Sequence, residues 1–145
     1  KKKAVFNGGD IFLHDVRSYR ERQLKPYGID VVEPLWDKTT DEIIDEFLGS
    51  GIKSVIVTTM ADVLGPEFIG RTLDRELINS LPQGADKCGE NGEYHSLCYD
   101  GHIFRHPVDF RLGKAMFHSY SINLDDGTSK EFSYWFANIL EQKNP

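Results

Sequence analysis

Apolar and polar positions follow two rhythms along the chain, and the change between them divides it. Ala4-Val5-Phe6 is a short apolar run closed by Asn7-Gly8-Gly9-Asp10, which predicts a buried strand ending in a loop. Leu13, Val16, Tyr19, Arg20 and Leu24 then recur near one face at helical spacing, until Pro26 and Gly28 stop the helix. Ile29 to Leu35 is a second, β-branched run closed by Pro34. Thr39 stands three residues before Glu42, a capping-box pattern, and Asp41, Glu42 and Asp45 put negative charge where a helix N-terminus favours it. Ile43, Ile44, Phe47 and Leu48 form the stripe of this second helix, and Gly49-Ser50-Gly51 ends it. Ser54 to Thr58 is a third buried run. Strand, helix, strand, helix, strand predicts an α/β fold with a mostly parallel, right-handed sheet covered by helices.

Past Met60 the rhythm changes. Pro66-Glu67-Phe68-Ile69 has proline at a first helical turn, and Asp74 to Leu81 predicts another short helix. Tyr94 to Tyr99 predicts a strand. The apolar-alternating runs Lys114 to Leu124 and Lys130 to Leu140 flank Asp125-Asp126-Gly127 and predict a hairpin. The last third therefore reads as a small α+β subdomain, with Gly65 as the expected seam and domains at 1–64 and 65–145.

Composition adds few constraints. A chain of 145 residues suits one domain, or one with an appendage, and the formal net charge of −6 argues against nonspecific binding to nucleic acid or anionic membranes. Two cysteines, Cys88 and Cys98, make no disulfide framework and no Cys-x-x-Cys motif, so a reducing, cytoplasmic setting is expected. No apolar run is long enough to span a bilayer as a helix.

The chemistry concentrates in Gly84-Ala85-Asp86-Lys87-Cys88-Gly89-Glu90-Asn91-Gly92-Glu93-Tyr94-His95. Glycines there permit positive φ or close approach of a ligand, and two carboxylates, an amide and an imidazole fall within six residues. Glu90 and Glu93 would share a face on a turn of helix, where paired carboxylates bind a cation or split their pKa values for proton transfer. The plain alternative is a surface turn with solvated acids. Cys88, His95, Cys98 and His102 could supply zinc ligands, but their spacing fits no zinc motif, and His95 and Cys98 point to opposite sides of a strand. Cys88 is a candidate nucleophile with His95 as its base, against an incidental thiol. Asn7-Gly8-Gly9-Asp10 lacks the ending of a phosphate loop and reads as a strand-to-helix turn. Trp36 ends a predicted parallel strand, where ligands bind, and could stack on a base or a cation or simply pack. Tyr134-Trp135-Phe136 reads as hydrophobic packing.

These residues carry a resemblance. Gly84-Ala85-Asp86 with Gly89-Glu90-Asn91-Gly92-Glu93-Tyr94-His95 is similar to the Gly-Glu-Asn-Gly-Glu-Phe-His signature of the diphthine–ammonia ligase family, PP-loop ATP pyrophosphatases with a HUP-type fold. Gly9-Asp10-Ile11 with Asp15 and Arg17, Pro34-Leu35-Trp36, and Leu64-Gly65 with Gly70-Arg71 resemble further family segments in the same order. The resemblance covers about Gly9 to Gly101. It implies ATP-dependent, AMP-forming amidation: a carboxylate is adenylated and ammonia displaces AMP. In eukaryotic and archaeal members the acceptor is diphthine, a trimethylammonio-bearing modified histidine on elongation factor 2. By this resemblance Glu90 and Glu93 are the catalytic candidates, and Asp86, Asn91, Tyr94, His95 and Trp36 contact the acceptor. Gly9 and Asp10 lie on the side of ATP and its Mg²⁺.

One departure matters. The family's Ser-Gly-Gly-x-Asp-Ser nucleotide loop has no counterpart here, since Gly9-Asp10 matches a later segment. The expectation is the C-terminal portion of a longer ligase, its parallel sheet incomplete at the N-terminal side and its open edge paired with the absent segment or another copy. A noncatalytic acceptor-binding module is the rival, and a zinc hydrolase using Cys88, His95 and Cys98 a third reading.

Overall fold

A computed structural model describes residues 4–124 and 127–141. The chain separates into two compact units, Lys1–Ile44 and Asp45–Pro145. In the first, β1 (Val5–Asn7) and β2 (Asp30–Val32) pair in parallel, with α1 (His14–Leu24) and a 3-10 turn at Lys25–Tyr27 between them. This is the predicted strand–helix–strand unit. Proline enters the 3-10 turn, and Gly28 leaves it in the left-handed conformation at φ 68°. The burial expected of these elements is not reached. Val5, Phe6, Val32 and Tyr19 are exposed, and α1 has no buried residue, because two short strands and one helix cannot cover each other's faces.

The capping box forms as read. The Glu42 N–H donates to the Thr39 hydroxyl at 3.2 Å, and the Thr39 N–H donates back to Glu42 Oε2 at 2.8 Å. These bonds open α2 (Thr40–Gly49), in which Ile44 is buried and Ile43, Phe47 and Leu48 are half-buried.

The third predicted strand requires a correction. β3 (Lys53–Met60) does not extend a parallel sheet. It is the antiparallel neighbour of β4 (Tyr94–Asp100) and β7 (Ser129–Phe136), and β6 (Met116–Asn123) completes a sheet of order β4-β3-β7-β6. The described sheets are therefore mostly antiparallel, and the mostly parallel HUP-type sheet is not what these residues form. A strand buried on both faces reads as the same apolar run whichever way its neighbours point. The C-terminal hairpin is present as β6 and β7, with Met116 opposite Phe136 and Asn123 opposite Ser129. Its turn residues Asp125 and Asp126 lie outside the described residues.

β5 (Phe110–Leu112) and β8 (Ile139–Glu141) form a second antiparallel pair that the apolar pattern did not signal. A 3-10 turn at Pro66–Phe68 and α3 (Arg75–Ser80) follow β3, with Asp74 capping α3 through the Leu77 N–H at 2.8 Å. The core of this unit is Val55, Ile56, Leu64, Phe68, Leu73, Leu77, Ile78, Tyr94 and Ala137. Phe117 meets Trp135 edge-on at 5.2 Å, and Tyr120 stacks on Tyr134 at 5.9 Å, so the aromatic run of β7 packs as expected. Among the described residues no helix is long and apolar enough to cross a membrane.

Candidate functional site

The loop from Leu81 to Glu93 joins α3 to β4 and is built by its own carboxylates. Three glycines hold left-handed backbone, at φ 95° (Gly84), 70° (Gly89) and 85° (Gly92). That lets successive turns fold back on one another, with the Gly89 N–H on the Asp86 carbonyl at 3.0 Å and the Gly92 N–H on the Gly89 carbonyl at 2.9 Å. Asp86 Oδ1 accepts from the N–H groups of Cys88 (2.9 Å) and Glu90 (3.2 Å). Glu93 is buried at 5% exposure. Its Oε1 accepts from the Asp86 N–H at 2.9 Å and from Asn91 Nδ2 at 3.2 Å, and its Oε2 from the Asn91 N–H at 3.0 Å. The Glu93 carbonyl anchors the loop to β3 by accepting from the Met60 N–H at 2.8 Å.

Tyr94 completes the framework. Its hydroxyl donates to the Lys87 carbonyl at 2.5 Å beneath the loop. Burial, then the neighbouring Cys88, Asp86 and Glu93, push its ionisation well above the ordinary tyrosine range. Gly89 must be glycine for a second reason: a Cβ there would meet the Tyr94 carbonyl oxygen at 3.0 Å.

No helix forms over Gly84–Glu93, so Glu90 and Glu93 do not share a helical face. Glu93 turns inward to hold the loop. Glu90 is half-buried, and Asn91 and His95 are exposed. The crest of the stiffened loop therefore offers an acid and an amide, and the exposed imidazole of His95 follows from β4. A cavity of about 390 Å³ lies against the start of the loop, lined among others by Asn79, Gln83, Gly84, Ala85 and Lys87. Both cysteines are free thiols, and among the described residues no three His, Cys, Asp or Glu side chains gather as a metal would require. Cys88, His95 and Cys98 are thus not brought together as the zinc reading needs.

The N-terminal unit holds the other predicted residues. Gly9 and Asp10 follow β1, and Trp36 lies in the turn after β2, at the carboxyl ends of the parallel pair. The Arg17 guanidinium lies over the Trp36 ring at 4.5 Å, and His14 meets that ring edge-on at 4.8 Å. Asp37, the next residue, has φ 63°, and its N–H donates to the Ile11 carbonyl at 3.2 Å. Asp10 is ion-paired with Arg20. Open space around Gly9 leaves its backbone approachable, whereas an Asp10 carboxylate engaged by a guanidinium is poorly fitted to take a divalent cation.

Sequence reasoning missed Arg20 and Glu33 as members of this cluster. The signals were a cation inside the apolar stripe of α1 and an acid inside the apolar run of β2.

An α/β chain with one parallel strand–helix–strand unit, an antiparallel sheet and a carboxylate-knit glycine loop between α3 and β4 is the frame within which its relatives can be placed. The family model for the diphthamide synthase C-terminal domain matches residues 38–125, more than half of the chain, and the chain belongs to that family. It is 28% identical over 127 residues to the diphthine–ammonia ligase of Homo sapiens, covering 82% of this chain and 48% of that protein. The Rattus norvegicus diphthine–ammonia ligase is 27% identical over the same shares. That of Schizosaccharomyces pombe is 24% identical over 121 residues, 81% of this chain and 20% of that protein. The chain thus spans about half the length of its mammalian relatives.

Proposed function

We propose that this chain is the acceptor-binding part of an ATP-dependent, AMP-forming amide ligase of the diphthine–ammonia ligase type. In that reaction an acceptor carboxylate oxygen attacks the α-phosphorus of ATP and pyrophosphate leaves. Ammonia then attacks the acyl carbon, the bond to AMP breaks, and a proton is lost as the amide forms. Diphthine on elongation factor 2 is the proposed acceptor, and the relatives' names support that class. On this reading residues 65–145 carry the acceptor side, and residues 1–64 the end of the nucleotide-binding, HUP-type domain, although β3 pairs with the later strands. Gly9 and Asp10 are assigned to the nucleotide side, Asp10 through its pairing with Arg20 and not as a ligand to Mg²⁺, and Trp36 is assigned to the acceptor. The free thiols of Cys88 and Cys98 support a cytoplasmic setting.

The observation that carries the proposal is the loop, which lies within the family-matched segment. A buried carboxylate, Glu93, does not face reactants; it fixes the crest on which Glu90 and Asn91 meet the acceptor, with His95 of β4 as a further contact and Asp86 and Tyr94 as the inner braces of the loop. The Glu90 carboxylate suits a trimethylammonium group or the ammonium that delivers nitrogen. The test is AMP formation from ATP with ammonium and acceptor by the protein as the cell makes it. Glu90→Ala should lower the rate at least about tenfold, as expected for a lost electrostatic contact in the transition state. An unchanged rate would sink the assignment. The rival, a noncatalytic acceptor-binding module, is favoured by the engagement of Asp10 with Arg20. It predicts acceptor binding sensitive to Glu90→Ala with no AMP formed by the parent protein.

A further inference from the structure

Glu33 follows β2 with a side chain that is 1% exposed. Among the described residues neither of its carboxylate oxygens accepts a hydrogen bond. Burying a carboxylate without hydrogen bonds is costly, and such groups persist where the surrounding structure needs the charge. Two guanidiniums flank it. Arg20 Nη1 stands 3.6 Å from Oε1, and Arg17 Nε 3.8 Å from Oε2. Each arginine has a second engagement: Arg20 pairs with Asp10, while Arg17 pairs with Glu21 at 3.1 Å and covers Trp36. The chain is built to seat Glu33. A Cβ on Gly8 would lie 3.0 Å from its Cγ and Oε1 and 3.1 Å from Arg20 Nη1, so a side chain there would press both groups out of place by a few tenths of an ångström. The Gly8 N–H and the Val32 carbonyl, bonded at 2.9 Å, lock the two strand ends together below it. The left-handed Asp37, beside Trp36, marks the same corner as strained.

We propose that Glu33 is a positioning residue that sets Arg20 on Asp10 and Arg17 on Trp36, fixing in one geometry the two residues assigned above to the nucleotide and the acceptor. The inference rests on that assignment for its consequence in turnover, but not for its geometry. Glu33 touches neither reactant. Its charge orients two cations, and each cation orients a residue assigned above to the side of one reactant.

The fluorescence experiment uses residues 1–145 with Trp135→Phe, which leaves Trp36 as the single tryptophan of these 145 residues. Glu33→Gln keeps the side chain's shape and removes its charge. With the charge gone, the Arg17 guanidinium leaves the indole, so Trp36 emission shifts to the red and its quenching by acrylamide rises. Arg17→Lys, which keeps the charge but not the planar stack, should reproduce the shift, and the double variant should go no further than either single one. In the AMP-forming assay Glu33→Gln should lower kcat by about 10- to 100-fold, the cost of misplacing a contact by an ångström, with a smaller change in KM. The proposal is overturned if Trp36 emission and quenching match the parent in both single variants, or if their effects add in full. If the parent protein forms no AMP, the ligase reading fails, and the fluorescence comparison still decides the role of Glu33.

Discussion

Glu93 reaches back seven residues to accept the backbone N–H of Asp86 at 2.9 Å, and this one bond closes the glycine-rich loop on itself. Together with the two Asn91 donors, it makes an acid of the family-like signature a structural member and leaves Glu90 as the acid of the crest.

Glu93→Ala should therefore act on folding before it acts on chemistry. Removing a buried acceptor of three hydrogen bonds strands its donors, for a loss of about 2–4 kcal/mol. Glu90→Ala keeps its own N–H bond to Asp86 and removes none of the three bonds that Glu93 accepts, so it should cost less than Glu93→Ala. Urea unfolding of the two variants separates them, and equal midpoints would contradict the loop geometry.

Tyr94 makes stability fall on the alkaline side. Its folded ionisation lies above the unfolded value of 10.0. As pH rises past 10 the unfolded chain releases this proton while the folded chain retains it, so the unfolded state gains. Tyr94→Phe should lose about 1 kcal/mol at neutral pH with the Lys87 bond, and should lack this part of the alkaline decline. Unfolding midpoints measured from neutral pH to above pH 10 decide it; parallel curves for parent and variant would exclude it.

Two glycines distinguish backbone strain from crowding. Gly84→Ala meets nothing within 4 Å, so its cost is that of positive φ alone, about 1 kcal/mol. Gly89→Ala carries the same strain and drives its methyl group toward the Tyr94 carbonyl, for about 1–3 kcal/mol in all. Thermal unfolding should rank Gly89→Ala below Gly84→Ala, and the reverse order would show that the loop yields freely there.

The capping box sets an acid-side dependence. The Thr39 N–H, and then its hydroxyl, hold the Glu42 carboxyl below its ordinary 4.5. The contribution is present above that value and is lost as pH falls through the lower folded one. Thr39→Ala should cost about 1 kcal/mol at neutral pH. It should also move the Glu42 titration, followed by carboxyl NMR shifts, back toward 4.5.

Local signals carried much of this. The Thr39–Glu42 box, the Pro26–Gly28 stop, the short helix after Asp74 and the β6–β7 hairpin depend on residues close in sequence, and all appear where the pattern put them. The loop was legible as polar and glycine-hinged. Its inner wiring was not, because nothing in Gly-Glu-Asn-Gly-Glu states which acid turns inward. Burial of Glu93 depends on β3 and β4 meeting at Thr59 and Tyr94.

By itself, then, the sequence determined the element types, the helix ends, the parallel strand–helix–strand start and the stretch in which polar chemistry concentrates, since each follows from short-range periodicity and backbone preference. Only the tertiary structure decided that β3 lies between antiparallel neighbours, that Glu93 braces while Glu90 stays at the crest, and that Glu33 sits between Arg17 and Arg20. Those outcomes depend on contacts between residues distant in the chain, where strand direction and the pairing of charges leave no periodic trace.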